Sequence, residues 1–518
     1  MISPLDVLSI ETWMLLVTAL LLLKFYIYRK WQVLKNLNIP HEPPSILGLG
    51  NLASMFDNVD GIFNQDIIRK KQFGNVYGSY TGLQARIAVC DPEIIKQIYI
   101  KEFSNFRDRQ ITFSKVNGKY MNAALTASRG DHWKRMRNSL TPAFSASKLK
   151  EMVRIVEQCV DHMTSALHKS VQNDDGRFDV KETFGELSLD AVCSAAFSVN
   201  VHSNSPGAAA TGRKVVEMSK EIFNFEIFKN PLILIFMLFP WTENIAEKLN
   251  YSIFPKKPIT FFHRLTLSLI DRLSHSSDQK RVDIMQSMLE AEISEDEAKN
   301  GKAKGLTKQE ITANAILMLI AGFETTANAL TYLTYNLATH KHVQEKLTEE
   351  IEETLKEYGE LSYEALNSMK YLTMCLNESL RLYPVIARNS RYCENDITIN
   401  GVQIPKGVHV DIPTYGLSHD EEYWDEPFKF HPERMEDMSK IDPMVFQPFG
   451  GGPRNCIGMR FAIMEIKMAI CKTLKEFELD VCEDTPIPPL QQTFKSSLIP
   501  KERVFLKVVP REGIVNTE

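Results

Sequence analysis

The chain is poor in the features that mark several common protein classes. Its eight cysteines in 518 residues (Cys90, Cys159, Cys193, Cys375, Cys393, Cys456, Cys471 and Cys482) form no CxxC pair. That excludes a disulfide scaffold and a cysteine-built zinc site, and points to a reducing compartment. Charge of one sign is not in large excess: the net charge of -5 speaks against a nucleic-acid partner. No internal repeat or low-complexity tract appears, so repeat architectures are excluded. No GxGxxG follows a strand, and the one triple glycine lacks the lysine and hydroxyl of a phosphate-binding loop. The residues that remain, 44% hydrophobic and 24% charged, are those of an ordinary globular protein.

One hydrophobic run is present. Ile10 to Ile27 is apolar apart from Glu11, two threonines and Lys24, close to the roughly 20 residues that cross hydrocarbon. Tyr28, Arg29, Lys30 and Trp31 follow it with no small-residue cleavage site, so residues 1–30 read as an uncleaved anchor rather than a signal peptide. The acids Asp6 and Glu11 lie before or at the start of the run, while Lys24, Arg29, Lys30 and Lys35 lie in or after it, which leaves the bulk of the chain on the cytosolic side. Prolines at 40, 43 and 44 make residues 31–50 a stiff linker. Residues 51–518 form the folded body, mainly helical with small β stretches.

Within the body, Thr307 to Glu310 is a capping box, and an apolar-dominated run continues from Ile311 to about Ala338, predicting a long core helix. It contains AGFETT, Ala321 to Thr326, where Gly322 weakens the helix and Glu324, Thr325 and Thr326 set polar groups among apolar ones. In an ordinary helix such threonines bond to their own backbone; an acid beside a hydroxyl also suits a groove that relays protons. Trp133 and Arg137, four apart in HWKRMR, share a helix face and pair an indole with a guanidinium. Glu378 and Arg381 form an ExxR pair, followed by HPERM at His431 to Met435. Leu232 to Phe239, bounded by prolines, is too short to span; core burial and a lip dipping into lipid both fit it.

The stretch that organises the rest is FGGGPRNCIG, Phe449 to Gly458. Cys456 sits just before an apolar helical pattern, where N–H groups favour a thiolate, and a thiolate is a metal ligand. The glycines let backbone approach something flat, and Arg454 offers a fixed charge to a carboxylate. Taken alone, a single cysteine is more often a small buried hydrophobe.

Phe449, Gly452, Arg454, Cys456 and Gly458 together match the haem-binding signature of the cytochrome P-450 superfamily. With AGFETT, ESLR and HPERM in this order and Trp133 and Arg137 upstream, the whole chain resembles that family, and PRNCIGMRFA resembles its animal microsomal three-A-like group, nearest to nematode members. The resemblance implies a mainly α fold with small sheets behind a single transmembrane anchor helix, and a haem-thiolate catalytic domain over 51–518. It implies haem b (iron-protoporphyrin IX) ligated by Cys456 and bound by Trp133, Arg137, Arg391, Phe449 and Arg454, with Glu378 and Arg381 joining Arg434 in a structural network. Thr325 and Glu324 would deliver protons. The implied reaction inserts one oxygen atom of O2 into a hydrophobic small-molecule substrate. Electrons would come from NADPH-cytochrome P-450 reductase, with Lys134, Arg135 and Arg460 as docking cations, and the enzyme would sit in the endoplasmic reticulum membrane facing the cytosol. A haem-thiolate isomerase or dehydratase, and a non-catalytic haem carrier or sensor, are the alternatives. The implied substrate pocket takes in Phe323, Val385 to Ala387, Ile111 to Thr126 and Ser496 to Leu498.

Overall fold

The computed structural model describes residues 9–45, 49–51, 61–109, 115–116, 118–197, 206–223, 230–275, 283–299, 304–495 and 497–511. The first part of the expected anchor, residues 111–114 and 117 of the expected pocket loop and Ser496 lie outside them. Helix α1 (Ile10–Lys30) is capped by Ser9, whose side chain accepts the Thr12 N–H; Glu11 lies in its first turn and Arg29 and Lys30 in its last. Both ends complement the helix dipole. No residue of α1 is buried, and it is long and apolar enough to cross a membrane.

The linker does not stand free between α1 and the body. Trp31 donates to the Gly82 carbonyl at 3.2 Å and accepts from the Tyr80 hydroxyl at 2.7 Å. Leu34 is fully buried, and Gly78 N–H bonds the Pro40 carbonyl at 2.8 Å. Proline-rich chain is stiff but still offers carbonyls, and here a sheet edge uses them. That sheet has the order β1 (Val76–Thr81), β2 (Gln84–Val89), β4 (His409–Ile412), β3 (Asn389–Tyr392); β2 and β4 run parallel and the other pairs antiparallel. Its apolar face forms a core of its own with Tyr77, Ile87, Val89, Ile98, Tyr99 and Val410.

The main core is helical. Helices α2 (Gly130–Leu140), α3 (Ala146–Asn173), α4 (Val180–Phe197), α5 (Pro206–Phe223), α7 (Lys256–His275), α8 (Lys308–Thr339), α9 (Lys370–Leu382) and α10 (Met459–Glu476) supply most of it, while α6 (Pro231–Leu238) packs Ile233 and Phe236 into a small separate cluster with Val116, Ala246 and Ile253. The capping box is complete: Glu310 N–H donates to Thr307 Oγ1 and Thr307 N–H to Glu310 Oε2. Glu310 also receives His132 and Arg135 of α2, and its carboxyl is held at about 2 against the pull of burial. Arg135 is therefore spent on the start of α8, not free for docking a partner; Lys134 and Arg460 are exposed.

Helix α8 runs unbroken through Gly322, where a Cβ would come within 2.7 Å of Val192. The glycine is there for close approach of α4 to α8, not to loosen a turn. Helix α6 is split by side: Ile233 and Phe236 are buried while Leu232 and Ile235 are exposed, with Trp241, Ile245 and Leu249 exposed just beyond. Among the described residues, the core acid Glu465 has no cationic partner. Glu465 on α10 is 0% exposed and neither carboxyl oxygen has a hydrogen bond; Ser188 of α4 is the nearest polar help. Burial pushes its carboxyl up to about 8.

Candidate functional site

The loop before α10 is shaped by close contacts. Cys456 N–H donates to the Phe449 carbonyl at 2.9 Å and closes it. Gly450 and Gly452 have φ of 74° and 69°, the left-handed region where a side chain is strained. A Cβ on Gly451 or Gly452 would lie 2.4 or 2.5 Å from Tyr99. Cys456 is thus turned outward at the N-terminal end of α10 and is exposed, unlike six of the other seven free cysteines, which are buried. Protein nevertheless crowds its sulfur, and that crowding raises the thiol above its ordinary range; N–H groups of Gly458 and Met459 and the charges of Arg109 and Arg137 pull it down. The helix end favours the thiolate as its position suggested, but desolvation outweighs it.

Around this loop stand four guanidiniums. Arg137 of α2 donates to both the carbonyl and the side-chain oxygen of Asn455, each at 2.9 Å. Arg454 lies 4.4 Å above the Trp133 ring and donates to the Ser128 carbonyl at 2.9 Å and to Asp108 at 3.2 Å. Arg391 of β3 lies 4.5 Å above the Tyr99 ring and reaches the Gly451 carbonyl at 3.1 Å. Arg109 donates to the Arg454 carbonyl at 2.6 Å. Trp133 and Arg137 share a face of α2 but part at their tips, the indole supporting Arg454 and the guanidinium binding Asn455.

Electrostatics make the cluster unusual. Burial lowers all four arginines, Arg454 to about 9 and Arg391 to about 10. Among the described residues, Asp108 is the one carboxylate that bonds any of them. The Nε atoms of Arg391 and Arg454 are buried with no acceptor. A desolvated charge without an acid is costly, so the arrangement fits a group bringing two carboxylates, as haem does.

On α8, Ala321 is the one exposed residue between Ile311 and Ala338, so the middle of the core helix meets a cleft there. Thr325, one turn on, is half-buried and donates to the Ala321 carbonyl at 2.7 Å. Glu324, about 100° round the helix, is buried, with Lys181 of α4 at 3.7 Å. The two side chains therefore point to different surroundings. Of the expected pocket residues, Phe323 is half-buried, Val385, Ala387 and Leu498 are buried and Ile386 is exposed. Leu498 N–H bonds the Val385 carbonyl at 2.8 Å, joining two of those segments.

The family model for Cytochrome P450 matches residues 40–508. The chain belongs to the cytochrome P450 family. It is 38% identical to cytochrome P450 3A11 of Mus musculus over 513 residues, with 98% of each chain covered. To cytochrome P450 3A25 of the same species it is 40% identical over 511 residues, covering 98% of each. To cytochrome P450 3A5 of Homo sapiens it is 37% identical over 515 residues, covering 99% of each. As a cytochrome P450 it is a haem-thiolate monooxygenase that binds haem b, uses O2 and electrons from a separate NADPH-cytochrome P-450 reductase, and acts on hydrophobic small molecules. The isomerase and carrier alternatives are not favoured.

Of the four arginines gathered at this loop, Arg109 is the one that the sequence reading did not single out. Arg109 lies in irregular chain after Asp108, 345 residues from the arginine it supports. The one available signal was the local run Arg107, Asp108, Arg109, a charge alternation with no periodic meaning.

Proposed function

We propose that Cys456 Sγ would ligate the haem iron and that Arg109, Arg137, Arg391 and Arg454, backed by Trp133, would hold its two propionates. The observation that carries this reading is the pair of buried, acceptor-less Nε atoms on Arg391 and Arg454 around the loop that presents Cys456. Phe449 supplies the carbonyl that fixes Cys456 N–H and so the direction of the sulfur. Bound there, haem supplies an electron-rich thiolate-ligated iron able to cleave the O–O bond and oxidise C–H groups. Replacing Cys456 by Ser should abolish the red-shifted Soret band of the reduced carbon monoxide complex; survival of that band would assign the ligand elsewhere.

Thr325 and Glu324 handle protons in this reading. Thr325 Oγ1 has the same bond to its own helix that Thr331 and Thr334 make, but those two are buried, whereas Thr325 adjoins the exposed Ala321. Its oxygen keeps lone pairs free to hold a water at the cleft. Glu324 is charge-paired with Lys181 and buffers the helix from the α4 side. Thr325→Ala should leave haem content and substrate binding nearly intact while product per NADPH falls several-fold and peroxide rises. Unchanged coupling would return Thr325 to the role of Thr331.

Localisation to the endoplasmic reticulum membrane, with the body in the cytosol, belongs to the same reading and is supported by α1 and its charge order. The exposed Leu232, Ile235, Trp241, Ile245 and Leu249 give a second apolar contact for the same surface. Protease treatment of intact microsomes should digest the body; protection would reverse the orientation.

A further inference from the structure

A groove of about 810 Å3 lies between α5 and α7, lined by Lys214, Met218, Lys256, Lys257, Thr260, Phe261, Arg264 and Leu265. The spacing explains how it forms. On α7 the lining residues recur three and four apart, and on α5 Lys214 and Met218 are four apart, so two helix faces meet. Its floor is apolar: Met218 is 1% exposed, and Phe261 and Leu265 are half-buried against the main core. Its rim is cationic. Glu217 answers Lys214 at 2.7 Å and Lys257 at 3.7 Å, and Glu221 answers Lys257 at 3.0 Å. No carboxylate pairs with Lys256 or Arg264 among the described residues, so the rim, with four cations and two acids, carries a surplus of two positive charges.

We infer that this groove is a second ligand site, separate from the haem-thiolate loop, for a free amphipathic anion with a carboxylate or sulfate head and a hydrocarbon body. The volume falls in the range of small-molecule sites, roughly 300–1,000 Å3. An apolar floor under a cationic rim matches such a molecule end for end: the hydrocarbon covers Met218, Phe261 and Leu265, and the head meets Lys256 and Arg264. A neutral hydrocarbon would use the floor and leave the surplus charge unanswered, and a bare phosphate would use only the rim.

The test uses the holoenzyme with its haem pocket saturated by an iron-ligating azole, so that substrate-pocket binding is closed off and its saturation is read from the Soret band. Dansyl-labelled undecanoate is titrated by fluorescence and competed with laurate or dodecanol. We expect saturable binding displaced by laurate and not by dodecanol, weakened on the order of tenfold or more in Lys256→Glu/Arg264→Glu. The milder Lys256→Gln/Arg264→Gln should fall between, with basal turnover and the carbon monoxide spectrum unchanged in both. Equal affinity in wild type and both variants, or competition by dodecanol as strong as by laurate, would overturn the proposal. So would loss of binding to phosphatidylserine vesicles with dansyl-undecanoate binding untouched, which would make the rim a contact for lipid headgroups.

Discussion

Two buried arginine sites in this P450 solve the same problem in opposite ways. Arg381 is 0% exposed, and its five N–H groups are all taken: two by Glu378 at 2.8 Å each, and three by the carbonyls of Ser418 and Pro427 at 2.7 Å and Lys429 at 3.2 Å. Glu378 in turn accepts Arg434 at 2.9 Å and the His431 N–H at 3.1 Å. Arg391 and Arg454 are buried too, yet each keeps an idle Nε beside other cations. A saturated guanidinium belongs to the frame. An unsaturated one among like charges suits an acid that the chain does not itself provide.

The comparison breaks most visibly at Arg381. Arg381→Leu strands the Glu378 carboxylate in the core and should cost about 3–5 kcal/mol, read as a large drop in denaturant midpoint or in folded yield, with haem lost as a consequence. A buried carboxyl with no cation beside it among the described residues extends the contrast, because it can keep its proton. Glu465 is raised from the ordinary carboxylate range to about 8, so its contribution is complete below about pH 4.5 and is lost as pH rises through 8. Thermal midpoints should therefore fall between pH 6 and 9, an effect on the order of 2–4 kcal/mol, and Glu465→Gln should flatten that slope; parallel pH curves for the two proteins would mean that Glu465 is ionised and paired. Its facing groups are Ser188 on α4 and Cys159 on α3. The smallest effect on the fold belongs to Arg454→Leu. It removes the bonds to Asp108 and Ser128, so it should cost the haem-free protein clearly less than Arg381→Leu does while weakening haem retention by about 1–3 kcal/mol, measured by transfer of haem to a scavenger protein. A stability loss in the haem-free variant equal to that of Arg381→Leu would erase the distinction between the two sites.

The frame was more legible than the cluster, for a physical reason. The capping box at Thr307 and Glu310 and the ExxR pair are local patterns, and local patterns survive in a linear reading: α8 begins at Lys308 and ends at Thr339, close to the expected Ile311 to Ala338. The placing of Cys456 in a glycine loop at the start of α10 was legible because that pattern is also local. Arg109, Glu465 and Arg135 were not. Each gains its role from a partner or a vacuum of partners set by packing across the chain: Arg109 under Arg454, Glu465 between α3, α4 and α10, and Arg135 bound to the very glutamate that caps α8. Gly322 was misread in the same way, since a sequence shows that a side chain is missing but not which neighbour occupies its room.

The docked segment after α1 has a mechanical consequence. Leu34 and Pro40 join the sheet within ten residues of the end of α1, so little slack chain separates a membrane-length helix from the body. A tether of ten extended residues would let a body wander by roughly 30 Å; a weld removes that freedom. With α1 in a bilayer, the body would tilt when α1 tilts, and lipid thickness, acting on α1, would set the angle at which this enzyme meets the molecules that share its plane.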